Sequence, residues 1–189
     1  AFLVTNNGGA NWTKVPATQN TRIYSMSFPS SSMGFAAGGI QGVGLNLFST
    51  TNSGSSWLLL PSGNTALLRS IFFVNTNTGY AVGNGQFATG VKTTNSGVTW
   101  TPMTTTGQTL NLRDVFFTSD QKGYIVGSQG ASANIQITTN GGANWTNQTA
   151  PTVVNPYSVF FIIVNTGWVC GTGINILKTT TGGTTVGIN

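Results

Sequence analysis

Apolar residues in this chain fall in short bursts separated by Gly, Asn, Thr and Ser, and the bursts recur in a fixed order. One aromatic-rich stretch appears four times, as Tyr24–Phe28 (YSMSF), Arg69–Phe73 (RSIFF), Arg113–Phe117 (RDVFF) and Tyr157–Phe161 (YSVFF). Each predicts an inner strand. Downstream lies Gly34–Gly38 (GFAAG), Gly79–Gly83 (GYAVG), Gly123–Gly127 (GYIVG) or Gly167–Gly171 (GWVCG), a short strand bounded by glycines with an aromatic at its start. A third strand then runs into a polar box, and a fourth leaves it.

The box reads T-x-N-x-G-x-x-W from Thr5, Thr50, Thr93 and Thr138, with a degenerate fifth copy from Thr179 to Val186, at intervals of 45, 43, 45 and 41 residues. Self-similarity at this period, with four short strands per unit, predicts an all-β chain folded as a β-propeller of four-stranded antiparallel blades. One domain over 1–189 is expected, with a partial blade at 1–15 and repeats at 16–60, 61–104, 105–149 and 150–189. That makes four full repeats plus a half blade, standing alone or within a larger ring. In the box, Asn7, Asn52, Asn95 and Asn140 are placed to accept from backbone N–H groups two residues on, while the Thr hydroxyl steadies a neighbouring turn. Gly9, Gly54, Gly97 and Gly142 supply positive φ. Trp12, Trp57, Trp100 and Trp145 are expected as equivalent wedges between blades, each with its indole N–H on a carbonyl. The boxes are therefore read as structural; a calcium loop lacks its carboxylates.

The boxes resemble the Asp-box, or bacterial neuraminidase repeat, with Asn (Thr181 in the last) where that family usually has Asp. The whole unit more closely resembles the photosystem II assembly and stability factor family of propellers, whose repeat recurs in many secreted bacterial proteins. The likeness covers nearly all of the chain. It implies a ring often of seven blades, so the chain is expected to start mid-blade as an N-terminally truncated piece of a larger product; a compact four-bladed ring is the alternative. It also implies a partner-binding patch of arginines on the face near the central channel, which Arg69 and Arg113 match. Repeat symmetry sets Tyr24, Arg69, Arg113 and Tyr157 at the start of each inner strand on that face, with Arg22 two residues before the first. The alternative for Arg113 is a local pair with Asp114, or capping of exposed carbonyls. Gly182–Asn189 resembles the segment that precedes a cleaved sorting domain in Bacteroidetes-type secreted repeat proteins.

Composition sharpens the class. Charged residues are 5% of the chain, against roughly 25% in ordinary soluble domains, so neutral polar groups carry solubility. Such a surface is cheap to desolvate and favours packing against a wall, a glycan or another copy. The net charge of +5 comes from seven scattered cations; nucleic-acid binding, which needs clustered Lys and Arg, is disfavoured. No apolar stretch approaches the roughly 20 residues of a membrane helix.

The inventory for chemistry is nearly empty: no His, and only Asp114 and Asp120 as side-chain acids. A glycosidase needs two carboxyl groups flanking one bond, whereas Asp114 falls in an inner strand and Asp120 in the next turn; a sialidase would further need a Glu. No metal set of Cys and His exists, and no cofactor is implied. Cys170 shares its repeat position with Ala37, Val82 and Val126, so a small buried residue is expected there. The expected function is a non-enzymatic, secreted or cell-surface bacterial module that binds a protein or polysaccharide. Two alternatives are a self-assembling fibre or surface-layer subunit joined through the half blade, and an assembly factor for a membrane or pigment complex.

Overall fold

The computed structural model describes residues 1–16, 21–40, 46–63, 67–85, 90–106, 110–130, 132–149, 155–173 and 176–183. Among these there are strands and turns and no helix. A two-stranded hairpin opens the chain, β1 (Phe2–Val4) with β2 (Thr13–Val15). The first blade is β3 (Arg22–Ser27), β4 (Gly34–Gly39), β5 (Leu47–Thr50) and β6 (Leu58–Leu60), antiparallel in that order. A second follows as β7 (Leu67–Phe73), β8 (Gly79–Asn84), β9 (Gly90–Thr93) and β10 (Thr101–Pro102). The third is β11 (Leu110–Phe117), β12 (Gly123–Gln129), β13 (Ser132–Thr138) and β14 (Thr146–Gln148), joined to the second by the pair Asn111–Asn84. The last has β15 (Pro156–Ile163), β16 (Thr166–Gly171) and β17 (Ile176–Thr179). Residues 184–189, which hold the end of the fifth box and the sorting-type tail, lie outside the described residues.

Alternation along each strand divides every blade into a leading face toward the preceding blade and a trailing face toward the next. In β5, Phe48 packs back on Phe2 and Val15, whereas its neighbour Leu47 packs forward on Leu68 and Ile71. The junctions share one aromatic design. Phe35, Tyr80 and Tyr124, the aromatics of the glycine-bounded strands, stack at 3.9, 3.9 and 4.0 Å on Phe73, Phe117 and Phe161 of the following blade. Phe73 and Phe117 in turn meet Trp100 and Trp145 edge-on at 6.0 and 5.9 Å. Two tyrosine hydroxyls reach further and donate to box carbonyls of the next blade, Tyr80 to Gly141 (2.8 Å) and Tyr124 to Gly182 (2.9 Å).

The box is a tight turn built by Thr and Asn together. In the third box the Thr93 hydroxyl donates to Asn95 Oδ1 (3.0 Å) and accepts from the N–H groups of Asn95 (3.3 Å) and Gly97 (2.9 Å). Asn95 Oδ1 also accepts from the N–H of Thr99 at 2.9 Å. The Asn bond therefore reaches four residues on; the Thr hydroxyl takes the N–H two residues on, the bond expected of Asn, and it holds its own turn rather than a neighbouring one. The carbonyl of Asn95 accepts from Val98 N–H (3.2 Å) around Ser96 (φ 57°) and Gly97 (φ 77°), a pair of left-handed residues as in a type I′ turn.

Three expectations need correction. Trp57, Trp100 and Trp145 are buried, but Trp12 is 59% exposed, with no blade among the described residues packed against it. The buried indole N–H groups of Trp57, Trp100 and Trp145 have no hydrogen-bond partner. The Trp145 ring edge that carries this N–H faces the box glycine, Gly142. Cys170 keeps its repeat register, opposite Ser158 as Ala37 is opposite Ser25, yet it is exposed, with no further blade over it among the described residues.

Candidate functional site

The inner strands β3, β7, β11 and β15 lie side by side in that order. Each carries a register shift, between Ile23 and Ser25, Leu68 and Ser70, Leu112 and Asp114, and Pro156 and Ser158. The skipped residues are Tyr24, Arg69, Arg113 and Tyr157, so the four sequence-predicted positions are β-bulges, devices that re-aim one side chain out of the ladder. The glycines permit this. A methyl group on Gly38, Gly83 or Gly127 would collide with the backbone carbonyl of Arg22, Leu67 or Asn111, where the bulged strand comes close. In these three blades the second Gly of the glycine-bounded strand thus makes room for the bulge.

The residue after each bulge staples neighbouring blades. Ser25 Oγ accepts from Ile71 N–H (3.2 Å), and Ser70 Oγ donates to Asp114 Oδ1 (2.7 Å). Asp114 Oδ2 takes Ser158 Oγ–H (2.8 Å) and Val159 N–H (3.0 Å) from the last blade, and Oδ1 takes its neighbour Val115 N–H (3.0 Å). These staples were not singled out from the sequence. Their signal was the small polar residue recurring second in YSMSF, RSIFF, RDVFF and YSVFF.

With Asp114 so engaged, no ion pair to Arg113 forms among the described residues, contrary to the local alternative. Instead each arginine lies over a tyrosine of an adjoining blade: Arg69 Cζ is 5.3 Å from the Tyr24 ring centroid and Arg113 Cζ 4.3 Å from that of Tyr157. Both rings are exposed, the arginines are half-buried, and the Nε of each arginine is buried without a hydrogen-bond partner. Arg22 is exposed on β3, opposite Gly39, and makes no such contact among the described residues. The structure thus aligns four of the five predicted residues as Tyr–Arg–Arg–Tyr across four blades and leaves Arg22 apart. Two guanidinium groups, each with its Nε buried and each set against an aromatic face, bring two positive charges onto adjacent inner strands, the kind of group that pairs with a carboxylate or another planar anion.

Asp120 sits in the turn after β11, six residues on from Asp114, where its Oδ1 takes a 3.4 Å bond from Asn75. No group of three or more His, Cys, Asp or Glu that could hold a metal occurs among the described residues. No helix there is long and apolar enough to cross a membrane.

Comparison with known proteins bears on the architecture. No protein-family model matches the chain, and no curated protein matches it. Solved structures do. YCF48 bound to D1 peptide superimposes with a TM-score of 0.70 at 16% identity, covering 92% of this chain and 55% of that one. YCF48 from Cyanidioschyzon merolae gives 0.69 at 17%, covering 97% and 64%.

The fold is a β-propeller. The Niastella koreensis GH74 enzyme shares it, with a TM-score of 0.67 at 20% identity over 83% of this chain and 27% of that enzyme. The chain spans roughly half to two thirds of the length of the YCF48 propellers, and these likenesses concern the fold alone.

Proposed function

We propose that this propeller is a non-enzymatic, secreted binding module that captures a protein partner through a carboxylate, held between Arg69 and Arg113 with Tyr24 and Tyr157 as flanking walls. The observation that carries this reading is the pair of half-buried arginines on adjacent inner strands whose Nε groups have no partner. Two like charges side by side without a counter-ion favour an incoming anion. The fold's likeness to YCF48 bound to D1 peptide supports a protein as the partner. The charge-poor surface supports a place outside the cell, and the absence of a paired acid and base supports binding over turnover.

The test is retention of short peptides lacking Asp and Glu on the immobilised chain, first with free C-terminal carboxylates and then as C-terminal amides. Retention of the acids should exceed that of the amides at least about tenfold, one charge-assisted bond being worth about 1.5 kcal/mol or more. Arg69→Ala with Arg113→Ala should abolish the difference. A double variant that still retained the acids over the amides as strongly as the wild type would remove the site.

A further inference from the structure

The small polar residue after each bulge makes one bond that repeats from blade to blade. Ser25 Oγ accepts from Ile71 N–H (3.2 Å), Ser70 Oγ from Val115 N–H (3.4 Å) and Asp114 Oδ2 from Val159 N–H (3.0 Å), each reaching the inner strand of the following blade. Serine therefore suffices to join two blades. The carboxylate at 114 supplies a second oxygen, Oδ1, which turns back to take Ser70 Oγ–H (2.7 Å) and Val115 N–H (3.0 Å), while Oδ2 also takes Ser158 Oγ–H (2.8 Å). Asp114 thus holds the inner strands on both sides of its own. The three side chains in this staple, Ser70, Asp114 and Ser158, directly follow Arg69, Arg113 and Tyr157.

For a site in which Arg69 and Arg113 capture a carboxylate, an acid next to Arg113 is a disadvantage, since its charge repels the incoming anion. A serine would join the blades without that repulsion. We propose that Asp114 is the positioning residue of this site, its two oxygens fixing the strands of Arg69, Arg113 and Tyr157 at one separation so that both guanidinium groups reach a single carboxylate. The role rests on the reading of Arg69 and Arg113 as the binding site. A bulged residue is left out of the ladder, so the staple one residue on holds each of the three in place. Two cations meeting one carboxylate need placement to within about 0.5 Å. The four donors on Asp114 are two serine hydroxyls and two backbone N–H groups, which engage its charge away from the guanidinium groups.

The test compares wild type and Asp114→Ser as immobilised chains, shown to be folded by circular dichroism, in their retention of short peptides lacking Asp and Glu, as C-terminal acids and as amides. Asp114→Ser puts in the residue that already serves at Ser25, Ser70 and Ser158, so the junction should still form. The wild type should favour the acids about tenfold, and Asp114→Ser should bring that ratio to about threefold or less as the guanidinium groups lose their fixed separation. Loss of a nearby negative charge acts in the opposite direction, so a merely structural Asp114 gives a ratio equal to or above the wild-type value. That outcome overturns the positioning role and leaves the binding site standing. A wild type with no preference for the acids removes the site itself, and the positioning role with it. If Asp114→Ser does not fold, Ser158→Ala decides, because it takes away one exposed hydroxyl and no charge. A ratio lowered roughly twofold, as for one weakened hydrogen bond, supports the role, and an unchanged ratio refutes it.

Discussion

At the junction of the second and third blades, Tyr80, Phe117 and Trp145 are almost wholly buried, and a hydroxyl and an ammonium group converge on one box carbonyl: Tyr80 Oη–H at 2.8 Å and Lys92 Nζ at 2.6 Å from the Gly141 oxygen. At the open hairpin, the same motif leaves Trp12 largely exposed over an otherwise identical turn, with Thr5 bonded to Asn7 and Gly9 as Thr138 is to Asn140 and Gly142. The turn therefore forms with or without a neighbour. What the neighbour adds is burial, and with it nearly all of the energetic weight of the wedge.

The contrast can be broken most forcefully at the tryptophans. Trp145→Ala should cost about 3–5 kcal/mol by denaturant unfolding, as large aromatic truncations in cores do, whereas Trp12→Ala should stay within about half a kcal/mol. Equal losses would mean that the exposed wedge is buried in solution.

Alkaline pH offers a second contrast. Burial pushes the Tyr80 hydroxyl up to about 12, with the Asp120 charge adding to it, and burial alone pushes Tyr124 to about 12, both from 10.0. Because the folded values lie above the unfolded ones, this stability is complete below pH 10 and is lost as pH rises from 10 toward 12. The loss should be roughly 2 kcal/mol for each tyrosine. Unfolding midpoints of Tyr80→Phe with Tyr124→Phe should fall less steeply over that window than those of the wild type.

The smallest expected difference lies in the boxes. Thr138→Val leaves the buried Gly142 N–H without its acceptor and should cost about 1–3 kcal/mol. Thr5→Val, in the open hairpin, lets water replace the bond to Gly9 and should cost about half a kcal/mol or less. A chevron or urea titration of the two variants measures the gap.

How much of this was legible in the residues varies with the range of the interaction. Box, glycine-bounded strand and aromatic strand were all readable, because the Thr–Asn–Gly turn closes within eight residues and strand alternation is a period of two. The alignment of Tyr24, Arg69, Arg113 and Tyr157 followed from repeat symmetry, but the bulge that turns them out of the ladder did not. It depends on Gly38, Gly83 and Gly127 meeting a carbonyl on another strand. The staple through Asp114 was hidden for the same reason, since Ser70 and Ser158 reach it from blades 44 residues away on either side.

Local chemistry in the chain thus dictated the repeat, its turns and the order of its strands, for these need only neighbours along the backbone. Whether a given copy is buried was decided in three dimensions. Cys170 and Val126 hold the same place in their units, and so do Trp12 and Trp145, yet each pair is split between solvent and core. Exclusion of water requires a second surface, and a repeat encodes the shape of that surface without encoding whether it is there.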